Sequence, residues 1–385
     1  MTGLVILLAF VSGVIVTALV VSTVRRAKPT VDTPGPYQAL IETALARITA
    51  DDYLGAAAAL RQAIEASSED ASLSLLFGDA LRRAGDVTRA ERVVDVLAAR
   101  QDLSGEIRSS LLLLRGRLLE ETDSRDEALA CYEQAAGALP RAPAPLLALE
   151  QLLSRLNRWP EAIAASVKLQ KLLPERGKLV TARRRVLYAR ELLAEARPDE
   201  ALKQAQLALG EVPNLAAAML TRGDALFQLG QRPQAREAWF EAAREAPHVT
   251  ALSLDRLEGT GSGADREAAR RFAQDMIERE ATGVTSWRLY AWMADDALRR
   301  KDVGEARAWV ERVADSQPRS ATAQRLRARL AHIEDGERAA RTATLLKIWS
   351  AERLWWDAWH CTRCGHAMQE FDWRCPGCQA WESLV

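Results

Sequence analysis

The residues of this chain best suited to chemistry lie at its C-terminus. His360-Cys361-Thr-Arg-Cys364-Gly365 is followed, after ten residues, by Cys375-Pro376-Gly377-Cys378. Each C-x2-C pair can turn two sulfurs onto one ion, so two pairs supply the four thiolates of a tetrahedral site. Gly365, Pro376 and Gly377 suit the tight turns that aim backbone N–H groups at metal-bound sulfur. Four thiolates suit Zn²⁺ and equally a mononuclear rubredoxin-type iron. With Cys361, Cys364, Cys375 and Cys378 filling the shell, no position is left for water or substrate. The ion's expected role is then to fold a mini-domain of about 25 residues that is too small to be stable alone. His360 and His366 fall outside that filled shell. No Ser/His/Asp or Cys/His arrangement is visible, His248 and His332 are isolated, and Cys131 reads as a small hydrophobe on a helix face. The chain is not expected to be an enzyme.

Six of the eleven tryptophans fall in residues 349–385. Trp349, Trp356 and Trp359 recur at helical spacing, which predicts a Trp-rich connecting helix over 335–359 ahead of a knuckle over 360–385. That helix either packs on the knuckle or presents an aromatic anchor to a partner or to the membrane interface.

The knuckle must be carried by the rest of the chain, and composition says what that is. The 385 residues carry 52 basic and 52 acidic side chains, 48% are hydrophobic, and Ala, Leu, Arg and Glu dominate. This is a helical composition. Although 45 of the basic residues are Arg, the balanced charge removes the global case for nucleic-acid binding. Five cysteines are too few for the disulfide framework of a secreted mini-protein.

The middle of the chain repeats. An alanine recurs at Ala56, Ala90, Ala128, Ala162, Ala201, Ala235, Ala269 and Ala306, mostly 34 residues apart. Twelve residues before it come Gly78, Gly116 and Gly223, or the small Ala189 and Ala294. Twelve residues after it come Pro140, Pro174, Pro213, Pro247 and Pro318. Turn residues such as Asp51, Gly85, Asp123, Asn157 and Gly230 stand five before it. The small residues mark where two antiparallel helices approach closely. The prolines end the second helix, and Leu60, Val94, Tyr132, Trp239 and Val310, four after the alanine, supply bulk to the buried face. This is the tetratricopeptide pattern, and it predicts an all-α superhelical solenoid of about eight hairpins over 37–334. Gly259-Thr-Gly-Ser-Gly263 lacks the Lys-Ser/Thr of a phosphate loop and reads as an inter-helix loop. The Arg183-Arg184-Arg185 run, near Lys178 and Arg190, reads as a solvated helix face that could meet an acidic partner.

The first segment departs from the average. Thr2 to Val24 carries no charge, and about 20 apolar helical residues span a bilayer core. Arg25, Arg26 and Lys28 follow at once, then Pro29, Pro34 and Pro36. The basic start and the small-x-small site of a cleaved signal are both missing. An N-terminal transmembrane anchor over 1–24 and a linker over 25–36 are expected, with the C-terminal part facing the cytoplasm.

Anchor, repeat array and four-Cys knuckle, in that order, resemble the lipopolysaccharide assembly protein B family of Gram-negative bacteria. The likeness is closest over Leu76–Ala90 with Asp102-Leu-Ser104, and over Cys361–Trp381. The resemblance implies a single-pass inner-membrane adaptor. Its implied partners are a membrane-bound ATP-dependent protease, the deacetylase that commits precursor to lipid A, and other lipopolysaccharide regulators. It also implies that the four cysteines match the family's metal ligands. A general scaffold for another envelope complex and an iron redox protein are the alternative functions.

Overall fold

The computed structural model describes residues 36–66, 70–246, 250–279, 287–317, 320–334 and, within 359–383, all but 369–370, 379 and 382. They form helical hairpins in chain order. The first four are α1 (Pro36–Thr49) with α2 (Tyr53–Ala66), α3 (Ala71–Arg83) with α4 (Val87–Ala98), α5 (Gly105–Glu121) with α6 (Arg125–Ala138), and α7 (Pro143–Arg155) with α8 (Trp159–Leu172). The next four are α9 (Pro174–Ala194) with α10 (Pro198–Glu211), α11 (Ala216–Gln228) with α12 (Arg232–Glu245), α13 (Thr250–Gly259) with α14 (Gly263–Arg279), and α15 (Trp287–Arg300) with α16 (Val303–Ser316). A single helix, α17 (Ala321–Glu334), follows. The C-terminus adds a two-stranded sheet, β1 (Trp359–His360) and β2 (Ala367–Met368). Two compact units divide the chain, Met1–Arg184 and Arg185–Val385.

The repeat register explains the packing. All eight register alanines have 0% exposure, so no larger side chain has room at these crossings. Leu60, Val94, Tyr132, Trp239 and Val310 are likewise buried. The glycines and the large residues are complementary. A Cβ on Gly116 would fall on the Tyr132 ring, and one on Gly223 would fall on the Trp239 indole and come within 3.1 Å of the Ala235 carbonyl. Each glycine makes room for the aromatic ring 16 residues later in its own hairpin. Gly223→Ala is therefore expected to lose about 1–3 kcal/mol through overpacking. Thermal denaturation checks this, and Gly210→Ala, where a Cβ meets nothing, is the control expected to change little.

The turn five residues before the alanine is built one way in seven hairpins. Asp51, Gly85, Asp123, Asn157, Ala196, Gly230 and Lys301 all have φ between 55° and 83°. In the second hairpin, Asp86 N–H donates to the Leu81 carbonyl at 2.9 Å and Gly85 N–H to Arg82 at 3.0 Å. This paired closure of the last helical turn recurs in the other six. Gly259 and Gly263 end α13 and open α14, and only residues 260–262 lie between, so this run is an inter-helix loop. Pro247 and Pro318 lie outside the described residues.

Two expectations are corrected here. Among the described residues no helix is long and apolar enough to cross a membrane. Even α9, at 21 residues, carries eight charged side chains. The anchor expected over 1–24 falls outside the described residues, and no described helix takes its place, so the single-pass inner-membrane placement is withdrawn. The arginine run is also not a solvated face. Arg184 pairs with Glu150, which is 1% exposed, and Arg185 donates to Gln204 at 3.0 Å. Arg183, Arg184 and Arg185 are half-buried.

Candidate metal centre and its seat on the repeats

The knuckle starts from very short elements. In β1 and β2, Trp359 pairs with Met368 and His360 with Ala367, antiparallel. Trp359, assigned by helical spacing to the end of the connecting helix, is thus a strand residue; 335–358 lie outside the described residues. Cys361 N–H donates to the His366 carbonyl and Gly365 N–H to the Cys361 carbonyl, each at 2.9 Å. Gly365 closes that turn with φ 72°, a conformation glycine adopts without strain. In the second turn, Cys375 N–H donates to Ala380 at 2.8 Å. An isolated bridge joins Arg374 to Trp381.

These turns bring the four cysteines together. Their sulfurs lie within 4.8 Å of one another, with Cys361 and Cys378 3.5 Å apart and Cys364 and Cys375 3.7 Å apart. An ion with metal–sulfur bonds near 2.3 Å needs tetrahedral edges of about 3.8 Å, so the cluster fits one ion. Cys361 and Cys375 are buried, Cys378 is half-buried and Cys364 is exposed. His360 and His366 face solvent. Arg363 N–H donates to Cys361 Sγ at 3.4 Å, and Ser383 Oγ lies 3.2 Å from the same sulfur.

The electrostatics also favour a cation. The Ser383 hydroxyl, then the Arg363 and Cys364 N–H groups, pull the Cys361 thiol down to about 6 against the cost of burial. At Cys364 the His366 N–H favours the thiolate. Burial and the sulfurs of Cys378, Cys375 and Cys361 outweigh it and push the thiol up to about 12. Four sulfurs this close cannot all ionise without positive charge between them. One Zn²⁺ or iron ion supplies that charge, and Cys361, Cys364, Cys375 and Cys378 would hold it. Because binding displaces thiol protons, affinity should rise with pH. Cys361 is ionised above about 6 and protonated below it. Metal retention against a chelator should therefore fall as pH drops from 7 to 5, and more steeply below about 6, where Cys361 adds a proton to those displaced. Ser383→Ala should move this loss to higher pH and weaken binding roughly 10- to 100-fold. Chelator competition at stepped pH checks both, and a retention flat in pH would contradict them.

The sequence suggests docking of the knuckle on the last repeat helices, and the structure seats it within the second unit on α9, α13 and α15. Trp359 meets Phe371 edge-on at 4.8 Å, and Phe371 meets Trp373 at 5.0 Å. Leu252 of α13 packs on the cluster that contains Trp359, Cys361 and Cys375. The Arg288 guanidinium of α15 sits 3.6 Å from the centroid of the Trp359 ring, a cation–π contact worth about 0.5–2 kcal/mol. Arg190 of α9 reaches Asp372 at 2.7 Å, and Asp372 also accepts the Trp373 N–H at 2.7 Å. All three helices are first helices of their hairpins. Elsewhere on this face, first helices are tied to their successors by Asp224–Arg256, Glu258–Arg299 and Asp295–Arg329 pairs. Asp224, Glu258 and Asp295 hold one register position, eleven before the repeat alanine. In the fifth hairpin that position is Arg190. Arg117 holds the same position in the third hairpin and pairs with Asp79 of the preceding first helix at 3.6 Å, so the residue type at this position does not by itself announce the knuckle.

Known proteins agree with these parts. Residues 359–385 match the rubredoxin metal binding domain in its zinc-ribbon form named for LapB, lipopolysaccharide assembly protein B. Residues 41–104 and 188–249 match a tetratricopeptide repeat family. No curated protein matches the chain. Similar solved structures include the C-terminal part of a TPR repeat-containing protein from Cytophaga hutchinsonii, 11% identical, covering 74% of this chain and 98% of that one, with TM-score 0.45. A tetratricopeptide repeat protein from Parabacteroides merdae is 15% identical over 76% of this chain and 98% of its own, with TM-score 0.37. YrrB, described as a TPR protein with an unusual peptide-binding site, is 22% identical over 50% of this chain and 94% of its own, with TM-score 0.37. The chain is a tetratricopeptide-repeat protein that ends in a rubredoxin-type, four-cysteine metal-binding knuckle similar to the LapB form of that domain.

Proposed function

We propose that this protein is an adaptor in the control of lipopolysaccharide synthesis. In this role it brings a membrane-bound ATP-dependent protease to the deacetylase that commits precursor to lipid A, and so limits that enzyme's lifetime. The observation that carries the adaptor reading is the seat of the knuckle. Contacts from three separate hairpins, through Arg190, Leu252 and Arg288, hold a metal-folded module on the first-helix face. Repeat arrays bind partners over such extended surfaces, and the knuckle gives this one a shaped and rigid end. Within the repeats, Arg and acidic side chains neutralise one another along single helices and between neighbouring ones. That pattern stiffens a surface and does not build a reaction centre.

The test is crosslinking in cells, followed by affinity purification and mass spectrometry. Recovery of the protease with the deacetylase is the expected result. The deacetylase half-life should also lengthen in a strain that lacks this chain. Recovery of a different envelope machine, with neither protein present, would refute this role and leave a general scaffold.

A further inference from the structure

The four sulfurs of the knuckle are unequally sheltered. Cys375 is 0% and Cys361 3% exposed, and Cys378 is half-buried. All three lie in the apolar cluster that Trp359 and Phe371 form with Leu252 of α13. Cys364 alone among the four is exposed. It stands at the tip of the first turn, where Gly365, with φ 72°, sends the chain back toward β2. Residues 362–367 around it are all exposed, so a reagent in water reaches this sulfur directly. A metal-held cysteine stays deprotonated, and oxidation follows thiolate character and exposure together. With the ion bound, Cys364 has both, whereas the buried Cys361 and Cys375 have only the first. A second sulfur stands ready behind it. Cys375 Sγ lies 3.7 Å from Cys364 Sγ, across the two turns and not within one C-x2-C pair.

We propose that Cys364 is a peroxide-oxidation site with Cys375 as its resolving partner, and that their disulfide unseats the knuckle from the repeats. The Cys364 thiolate attacks one oxygen of hydrogen peroxide, the O–O bond breaks, and hydroxide leaves a sulfenic acid behind. The Cys375 thiolate then attacks that sulfur, the S–S bond forms, and a second hydroxide leaves. Two thiolates have lost two electrons, and the peroxide has become two hydroxides, which take protons from the solvent. The sulfurs must close from 3.7 Å to about 2.05 Å, which draws Cys375 out of its buried place. Cys361 and Cys378 are half of a four-thiolate shell and do not hold a structural ion. The movement reaches the seat through the chain. Trp373 and Asp372 stand just before Cys375, and Asp372 holds Arg190 of α9. The inference rests on the metal centre and not on which partners the adaptor serves.

Hydrogen peroxide titrated into the zinc-loaded, full-length chain tests it, with released zinc read by a coloured chelator and disulfides mapped by mass spectrometry. The expected result is loss of the bound zinc together with a Cys364–Cys375 link, both reversed by a thiol reductant and fresh zinc. Hydrogen exchange should quicken around Arg190, Leu252 and Arg288 in the oxidised chain. Cys131, whose thiol is pushed up by burial, is the internal control and should stay reduced. Cys364→His keeps a zinc ligand without the exposed sulfur and should slow the release roughly tenfold or more, because susceptibility follows the accessible thiolate. Where that variant fails to load zinc, trapping sulfenic acid with dimedone at limiting peroxide decides on the unaltered chain, and Cys364 should be labelled first. Earlier labelling at Cys361 or Cys375, a first disulfide within either C-x2-C pair, or equally fast release from zinc-loaded Cys364→His would each overturn the proposal. So would zinc that stays bound at peroxide levels that oxidise free glutathione. Any of these, with the protease and deacetylase still recovered in cells, would end this inference and leave the adaptor reading intact.

Discussion

Replacing Cys361 and Cys364 together by serine is expected to remove bound metal entirely, from one ion per chain to none, and to unfold the knuckle. Structural four-thiolate sites contribute apparent binding free energies on the order of 10 kcal/mol or more to the fold they hold. The knuckle has little else. Its sheet is two residues long on each side, and its core is Trp359, Cys361 and Cys375 with a few half-buried neighbours. A domain of this size does not close its own stability balance. The helices should survive, because each hairpin buries its register alanine and its bulky partner without help from the metal. Metal analysis, near-UV circular dichroism of the tryptophans and far-UV circular dichroism separate these effects: metal is lost, the aromatic signal falls by the share of the knuckle's Trp359 and Trp373 while buried repeat tryptophans such as Trp239 keep theirs, and helical signal is nearly unchanged. The adaptor role should be lost with them. A metal-free double variant that still shortens the deacetylase lifetime would remove the knuckle from the mechanism.

The second large effect is expected far from the cysteines. Arg184→Ala should destabilise the first unit by about 3–5 kcal/mol, since it strands the Glu150 carboxylate in the interior. Glu150 is 1% exposed, and besides pairing with Arg184 it accepts from the Ser154 hydroxyl at 3.0 Å. Glu150→Leu with Arg184→Met should recover most of the loss, because a well-packed apolar pair avoids desolvating two charges. Repeat arrays need not unfold in one step, so the readout is hydrogen exchange over α7 and α8 together with the first urea transition. A loss under about 1 kcal/mol in Arg184→Ala would show that water reaches Glu150 and that the pair is a surface one.

This second case also marks the boundary of what the sequence reveals. The alanine, glycine and bulky positions were legible because close helix crossings restrict residue size locally, and Gly116 facing Tyr132 carries both halves of that restriction in one hairpin. The two C-x2-C turns were legible for the same reason, since four sulfurs are gathered by short-range geometry. Ala196 and Lys301 hold the same left-handed turn as Gly85 and Gly230, yet their residue types do not announce it; the repeat register imposes the conformation. Glu150 stands twelve before Ala162, where every other hairpin but the seventh, which has Leu257, places Gly or Ala. That intrusion of a charge into a small-residue position was a sign that a buried pair was needed, and it would have moved the arginine run from the surface to the interior. The seat of the knuckle was least legible. Arg190 and Asp372 are 182 residues apart, and no local rule links them. The Trp cluster was visible, but the stacking of Arg288 on Trp359 depends on how the chain returns to α15.

The central claim is that the metal-folded knuckle is seated on the first-helix face of the second unit. Hydrogen exchange, compared between metal-loaded and metal-stripped full-length chain, tests it most directly. The account predicts faster exchange after stripping at 359–383 and also around Arg190, Leu252 and Arg288, with α1 to α8 unchanged. Faster exchange confined to 359–383, with all three helical segments as protected as before, would contradict the seat and the adaptor surface built on it.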